Sequence, residues 1–265
     1  MTHVLVTRPL EASQKLARQL NELGLVAVVM PFYTFSARQP GRHLDTAWSA
    51  PHGATQAVTQ PANSARKLAV FTSPRSVEFG LAHIPGHVVN DLEVAVVGSA
   101  TRAKLESSGY DVHLQAVSGF TSEDLLQLPA LAENPGVAII FCAPGGRETL
   151  AEGLHELGWH VVKAMVYERQ VLQPAAEQIT AVREADDLLS VWTSISAINI
   201  AEQYLPATVW QKILGSPALV ISTRIQHHLQ QIGATGVELA EGPGNPALLK
   251  SIQRLIGVHK PGRTG

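Results

Sequence analysis

The chain has one cysteine, Cys142, in 265 residues. That excludes an internal disulfide and a cysteine metal cluster, and the place of Cys142 inside an apolar run reads as a small core hydrophobe rather than a reactive thiol. Charge is also sparse: 16% of residues are Asp, Glu, Lys or Arg, and the formal net charge is −2. A nucleic-acid surface needs Lys and Arg gathered into patches, so no nucleic-acid partner is expected. No apolar run reaches the roughly 18 residues of a bilayer span, and the opening MTHVLVTRP lacks a basic stretch followed by an apolar one. Neither a membrane segment nor a signal peptide is expected, and the cytoplasm is the expected compartment. Of 11 histidines only His227 and His228 are adjacent, and none has HExxH spacing, so no metal site is expected.

The familiar cofactor loops are missing as well. The turn Ala143-Pro144-Gly145-Gly146-Arg147-Glu148-Thr149 lacks the Gly-Lys-Ser/Thr ending of a phosphate loop, no turn reads GxGxxG, and no nucleophile elbow is present. No cofactor is expected.

What is there is an alternation of short apolar runs and helical periods. Residues 136–170 are the clearest case: Val137–Cys142 reads as a buried strand bounded by Pro135 and Pro144-Gly145-Gly146. Leu150, Leu154 and Leu157 then recur at helical spacing up to Gly158, and residues 161–166 form a second apolar run. Strand, helix, strand obliges a parallel sheet, with its turns gathered at the carboxyl ends where ligands of open α/β sheets bind. Further strands are predicted at residues 4–6, 25–30, 68–71, 94–97, 188–192, 219–221 and 237–239. Helices are predicted after Pro9, Ser73, Gly98, Thr121, Pro174, Ser222 and Asn245. Residues 43–67, rich in Ala, Thr, Gln and Pro, read as a surface loop or weak helix, and 259–265 as a frayed tail. At 45% hydrophobic the chain can bury a large core, and its length favours two domains.

Two patterns point toward function. Val70-Phe71-Thr72-Ser73 and Val191-Trp192-Thr193-Ser194 look like one strand-to-helix turn used twice, which suggests two similar halves; chance likeness between strand exits is the alternative. Arg8, Arg75, Arg102, Arg147, Arg169 and Arg224 all fall just past predicted strands. A cation is unfavourable at the positive end of a helix, so either an anionic ligand compensates or the arginines pair with nearby acids.

The ordered set Val4-Leu5-Val6-Thr7-Arg8-Pro9, Phe71-Thr72-Ser73-Pro74, Val97-Gly98 with Thr101 and Leu105, Gly145-Gly146-Arg147-Glu148 with Leu150, Leu154 and Gly158, and Val166-Tyr167 resembles the uroporphyrinogen-III synthase family along nearly the whole chain. The resemblance implies two α/β domains of flavodoxin-like, doubly wound parallel topology joined by a two-stranded linker. The first domain would be discontinuous, with residues 1–34 and 169–265 enclosing a second domain at 35–168. It implies a cofactor-independent lyase of haem biosynthesis that cyclises hydroxymethylbilane in a cleft between the domains. The chain would act as a monomer, with transient channelling of substrate from the preceding pathway enzyme.

By the same resemblance Tyr167 is the proton donor to the departing hydroxyl; the alternative is a linker tyrosine with a packed ring and a wet hydroxyl. Thr101 and Ser194 match positions lining the cleft, and Thr7, Arg8, Thr72, Ser73, Arg147, Thr193 and Ser222 complete the expected substrate-binding set. For Thr72 and Ser73 the alternative is helix capping. Gly98, Gly145 and Gly146 would let backbone approach a carboxylate, and a tight turn is the other reason for glycine there. The chain departs from the family pattern at Ile195 and Ile225, so a chemical role at Ile225 is not expected. The rival readings are a two-domain protein that only binds an anion and, with less support, an α/β transferase.

Overall fold

The computed structural model describes residues 1–49, 66–116 and 121–258. In chain order the elements are β1 (Thr2–Val6), α1 (Leu10–Glu22), β2 (Val26–Val29), β3 (Tyr33–Ala37), α2 (Arg42–Ser49), β4 (Lys67–Phe71), α3 (Pro74–Gly80), β5 (Leu92–Val96), α4 (Ser99–Ser107), β6 (Leu114–Gln115), α5 (Ser122–Leu126) and β7 (Val137–Cys142). They continue as α6 (Glu148–Glu156), β8 (His160–Met165), β9 (Tyr167–Val171), α7 (Ala176–Glu184), β10 (Asp187–Trp192), α8 (Ile195–Tyr204), α9 (Ala207–Leu214), β11 (Ala218–Val220), α10 (Thr223–Gln231), β12 (Val237–Leu239) and α11 (Asn245–Val258). The chain divides into two compact units, Met1–Thr34 with Gln170–Gly265, and Phe35–Arg169. Strands β3 and β9 pair as a two-stranded sheet, and both passages of the chain between units fall within them.

The continuous unit is built on a parallel sheet in the order β6-β5-β4-β7-β8. Its interior strand β7, VAIIFC, is buried along its whole length, as a strand covered on both faces must be. Alternate side chains separate into two cores. Ile139 and Phe141 join Ala69, Phe71, Val94 and Val96 on one face, where the Phe71 and Phe141 rings stack at 4.6 Å. Ala138, Ile140 and Cys142 join Leu68, Val70 and Ala95 on the other, under Leu125, Leu150 and Leu154 of α5 and α6. Burial raises the Cys142 thiol above its usual pKa, in keeping with a core side chain.

The discontinuous unit repeats the plan with a parallel sheet in the order β12-β11-β10-β1-β2. Val4, Val6, Leu189, Val191 and Leu219 bury one face against Leu16 and Leu20 of α1 and Leu248 and Ile252 of α11. On the other face Trp192 stacks on Phe32 at 5.8 Å and meets Trp210 of α9 edge-on at 6.1 Å.

Counted from β4 in one unit and from β10 in the other, both sheets have the doubly wound order 3-2-1-4-5. The expected α/β class with parallel sheets is present. Within it the direction reverses after the third strand, whereas flavodoxin's own 2-1-3-4-5 order reverses after the second. The reversal places a switch point between β4 and β7, and another between β10 and β1. Residues 43–67 read in the sequence as a surface loop or weak helix; at their start helix α2 forms, and it is not confined to the surface, because Leu44, Ala47 and Trp48 lie on one face and bury against the sheet. The remainder of that stretch, residues 50–65, and the tail at 259–265 lie outside the described residues.

Candidate active site at the strand exits

In the continuous unit the switch point is bridged by side chains. Past β4, Thr72 is buried and donates its hydroxyl to the Phe141 carbonyl on β7 at 3.3 Å. Past β7, Arg147 reaches back, and its Nη2 donates to the Thr72 carbonyl at 3.1 Å. Arg147 is the N-cap of α6 and sits in the left-handed region at φ +69, where a side-chain-bearing residue costs energy. A depression of about 390 Å3 lined by Thr121, Ser122, Glu123, Arg147, Glu148 and Thr149 opens beside it.

Ser73 both caps a helix and contacts Tyr167. Its Oγ accepts the Ser76 N–H at 3.1 Å, and Ser76 Oγ in turn accepts the Thr72 and Ser73 N–H groups at 3.1 Å each. Ser76 is fully buried and was not singled out by the sequence; the Ser-x-x-Ser spacing of a capping box is the signal that marks it. Ser73 Oγ also lies 3.2 Å from the Tyr167 hydroxyl. The Tyr167 ring is stacked on Phe79 and meets Phe35 edge-on, each at 5.7 Å between centroids, and only 9% of the residue is exposed. The alternative of a packed ring with a wet hydroxyl is therefore half right: the ring packs, and the hydroxyl has a protein partner.

The glycines separate by conformation. Gly145 has φ +69, so its turn alone calls for glycine. Gly146 donates its N–H to the Ala143 carbonyl at 3.3 Å. Gly98, at the N-cap of α4, has φ −125, and a Cβ there would meet nothing within 4 Å. The chain's own packing does not require glycine at 98. Thr101, three residues on, is buried in the first turn of α4.

In the discontinuous unit Thr7 is buried, with its hydroxyl donated to the Val191 carbonyl at 2.7 Å across the β1–β10 switch point. Thr193 and Ser194 are half-buried just past β10. Ser194 is the N-cap of α8, but its side chain makes no capping bond, and the position that Ser76 fills in the other unit is Ala197 here. Ser222 caps α10 through the Ile225 N–H at 3.4 Å, while Ile225 itself is buried in the core.

Four of the six strand-exit arginines fall into two groups. Arg75 and Arg102 pair with Glu78 and Glu106 in their own helices, and Arg75 also lies over the Phe35 ring. Those two follow the reading of local acid pairing. Arg8 and Arg147 bond only neutral acceptors among the described residues, although Glu123 and Glu148 line the same depression as Arg147. Arg224 is exposed, and Arg169 lies 6.0 Å from the Phe35 ring centroid.

These features define a two-unit, doubly wound α/β protein with hydroxyls, a buried phenol and unneutralised arginines at its strand exits, a set suited to a small polyanion. The family model described as uroporphyrinogen-III synthase HemD matches residues 14–250. Uroporphyrinogen-III synthase of Salmonella typhimurium is 30% identical over 260 residues, covering 94% of this chain and 99% of that protein. The Escherichia coli enzyme is 27% identical over the same length and coverage. The fold matches a solved mutant uroporphyrinogen III synthase of Thermus thermophilus with a TM-score of 0.60 at 17% identity, covering 98% of this chain and 100% of that one. It also matches the Helicobacter pylori uroporphyrinogen-III synthetase structure with a TM-score of 0.59 at 16% identity, covering 96% of this chain and 100% of that one. The chain belongs to the uroporphyrinogen-III synthase family, cyclising lyases of tetrapyrrole biosynthesis.

Proposed function

We propose that the chain closes hydroxymethylbilane to uroporphyrinogen III with Tyr167 as proton donor. The observation that carries the assignment of Tyr167 is its buried phenol, held 3.2 Å from Ser73 beside the β4–β7 switch point. In the reaction the terminal C–O bond breaks, the hydroxyl takes a proton from the phenol and leaves as water, and the pyrrole system becomes an azafulvene. The terminal ring attacks through its substituted carbon, and the spiro intermediate fragments and recloses with that ring inverted. A proton lost from carbon restores aromaticity and balances the one donated.

The protein's principal task is to hold a flexible octacarboxylate in one geometry, because orientation and charge neutralisation are what a cofactor-free site supplies. Arg8 and Arg147, which form no ion pair among the described residues, are assigned to carboxylates. Thr101, Thr193, Ser194 and Ser222 are assigned to hydrogen bonding, and Gly98, Gly145 and Gly146 to close backbone approach. Thr7 and Thr72 give their hydroxyls to strand carbonyls and shape the site from behind, while Ser73 caps α3 and holds the Tyr167 hydroxyl. The reading extends to a cytoplasmic monomer that takes its substrate from the preceding pathway enzyme, which rests on the resemblance to the family. Among the described residues no helix is long and apolar enough to cross a membrane.

Product analysis tests the reading. Hydroxymethylbilane generated in the presence of the purified protein, followed by oxidation and separation of the porphyrin isomers, gives predominantly type III. Type I alone, the isomer of unassisted closure, overturns the proposal and leaves a protein that only binds anions.

A further inference from the structure

Arg8 has surroundings unlike those of the other strand-exit arginines. Arg75 is neutralised by Glu78 at i+3, and an acid stands at the same spacing from Arg8, the exposed Glu11 in the first turn of α1. Arg8 forms no ion pair with it among the described residues. Its Nη1 instead donates to Asn245 Oδ1 at 2.5 Å, and its Nη2 to the Pro243 carbonyl at 3.3 Å. Asn245 is the first residue of α11, and its Nδ2 donates to Gln19 Oε1 on α1 at 3.1 Å. An arginine can only donate, so the Asn245 amide must turn its oxygen toward Arg8 and its nitrogen toward Gln19; the two bonds fix each other's direction. Both acceptors of Arg8 are neutral. Half-burial strips the guanidinium of water and draws its pKa below the usual arginine value, and no carboxylate offsets that cost. A cation kept partly dry and bonded only to neutral acceptors among the described residues is arranged for an anion from outside the chain.

We propose that Asn245, braced by Gln19, is a positioning residue that holds the Arg8 guanidinium at the exit of β1 with its charge uncancelled, so that its remaining N–H groups receive a substrate carboxylate. The proposal rests on Arg8 being a substrate-binding group. Asn245 acts through Arg8 and touches no reacting atom.

The test is Asn245→Asp, which keeps size and the accepting oxygen but puts a negative charge on Arg8. A purely structural role predicts a neutral or stabilising change, because the variant adds an ion pair and places an acid in the first turn of α11. The positioning role predicts that stability holds while KM for hydroxymethylbilane rises roughly tenfold to a hundredfold, the range for losing a charged hydrogen bond, with kcat changed less than about twofold. Arg8→Gln, measured alongside, raises KM comparably. If Arg8→Gln leaves KM unchanged, the reading of Arg8 fails; if it raises KM and Asn245→Asp does not, the positioning proposal alone is overturned. Should the Asp variant fail to show native circular dichroism, Asn245→Ala decides: a raised KM supports the role and an unchanged KM overturns it.

Discussion

The Tyr167 hydroxyl lies 3.2 Å from Ser73 Oγ, and that same oxygen accepts the N–H of Ser76 in the first turn of α3. A serine that accepts through one lone pair still has its own proton to give. When Ser73 donates to the phenol oxygen, the phenol proton is left for a substrate. Tyr167→Phe keeps the ring contacts with Phe79 and Phe35 and removes the hydroxyl, the proton donor together with the partner of Ser73 Oγ. The expected result is a kcat lower by about a hundredfold or more, the usual range for a general acid, with KM nearly constant. Unchanged single-turnover rates would take Tyr167 out of the mechanism.

Arg147 combines strain with a contact to Thr72, and the two can be separated by substitution. Arg147→Gly relieves the left-handed backbone, whereas Arg147→Ala keeps it, so the Gly variant should be more stable than the Ala variant by about 1 kcal/mol in urea unfolding. Both should show the same raised KM, since both lose the cation. Equal stability of the two would mean that the backbone at 147 is not held left-handed in solution.

At Gly98 the prediction is a fold indifferent to a methyl group and an activity that is not. Alanine fits the φ of −125 with nothing within 4 Å. Its poorer capping and its smaller unfolded-state entropy offset each other to within about 1 kcal/mol. Thermal unfolding of Gly98→Ala should therefore match the parent while kcat/KM falls. Full activity would mean that no substrate group approaches the backbone there.

Acid stability is assigned to a pair far from the strand exits. Arg66 donates from Nε and Nη2 to the two Glu93 oxygens at 2.7 Å each, and from Nη1 to the Ala130 and Glu133 carbonyls. The hydrogen bond from Arg66 holds the Glu93 carboxyl below its ordinary value of 4.5. A depressed carboxylate contributes stability above its unfolded pKa and loses it as pH falls through the folded one. Glu93→Gln should therefore flatten the stability curve below pH 4.5 and lower stability at neutral pH, modestly, because the pair is partly exposed. An unaltered acid limb in pH-dependent thermal unfolding would contradict this.

Four strands and their exits were most legible because the apolar runs at 68–71, 94–97, 137–142 and 188–192 end at Thr-Ser, Gly-Ser or Pro-Gly-Gly breaks, and a parallel sheet puts its breaks on one edge. Helix α2 was less legible: its eight residues carry the helical trio Leu44, Ala47 and Trp48 inside a polar stretch too short for the period to show. Helix α9 went unmarked although Val209, Trp210, Ile213 and Leu214 bury one side of it. At the site, residue types could be placed on the correct edge but not paired. Ser73 and Tyr167 are 94 positions apart, and Arg8 and Asn245 are 237 apart, so their meeting is set by strand order rather than by local pattern. The glycines, alike as letters, differ in φ, which only the folded backbone reveals.

The shared 3-2-1-4-5 order makes the chain two laps of one cycle. Strands β1 and β2 are the fourth and fifth places of a lap, β4 to β8 are a complete lap, and β10 to β12 are the first three places of the next. A rearranged gene in which the segment carrying β10 to β12 precedes β1 and β2 would encode both sheets with every strand beside its present neighbours. The interrupted unit would then be an unbroken stretch of polypeptide, a circular permutant free of the insertion.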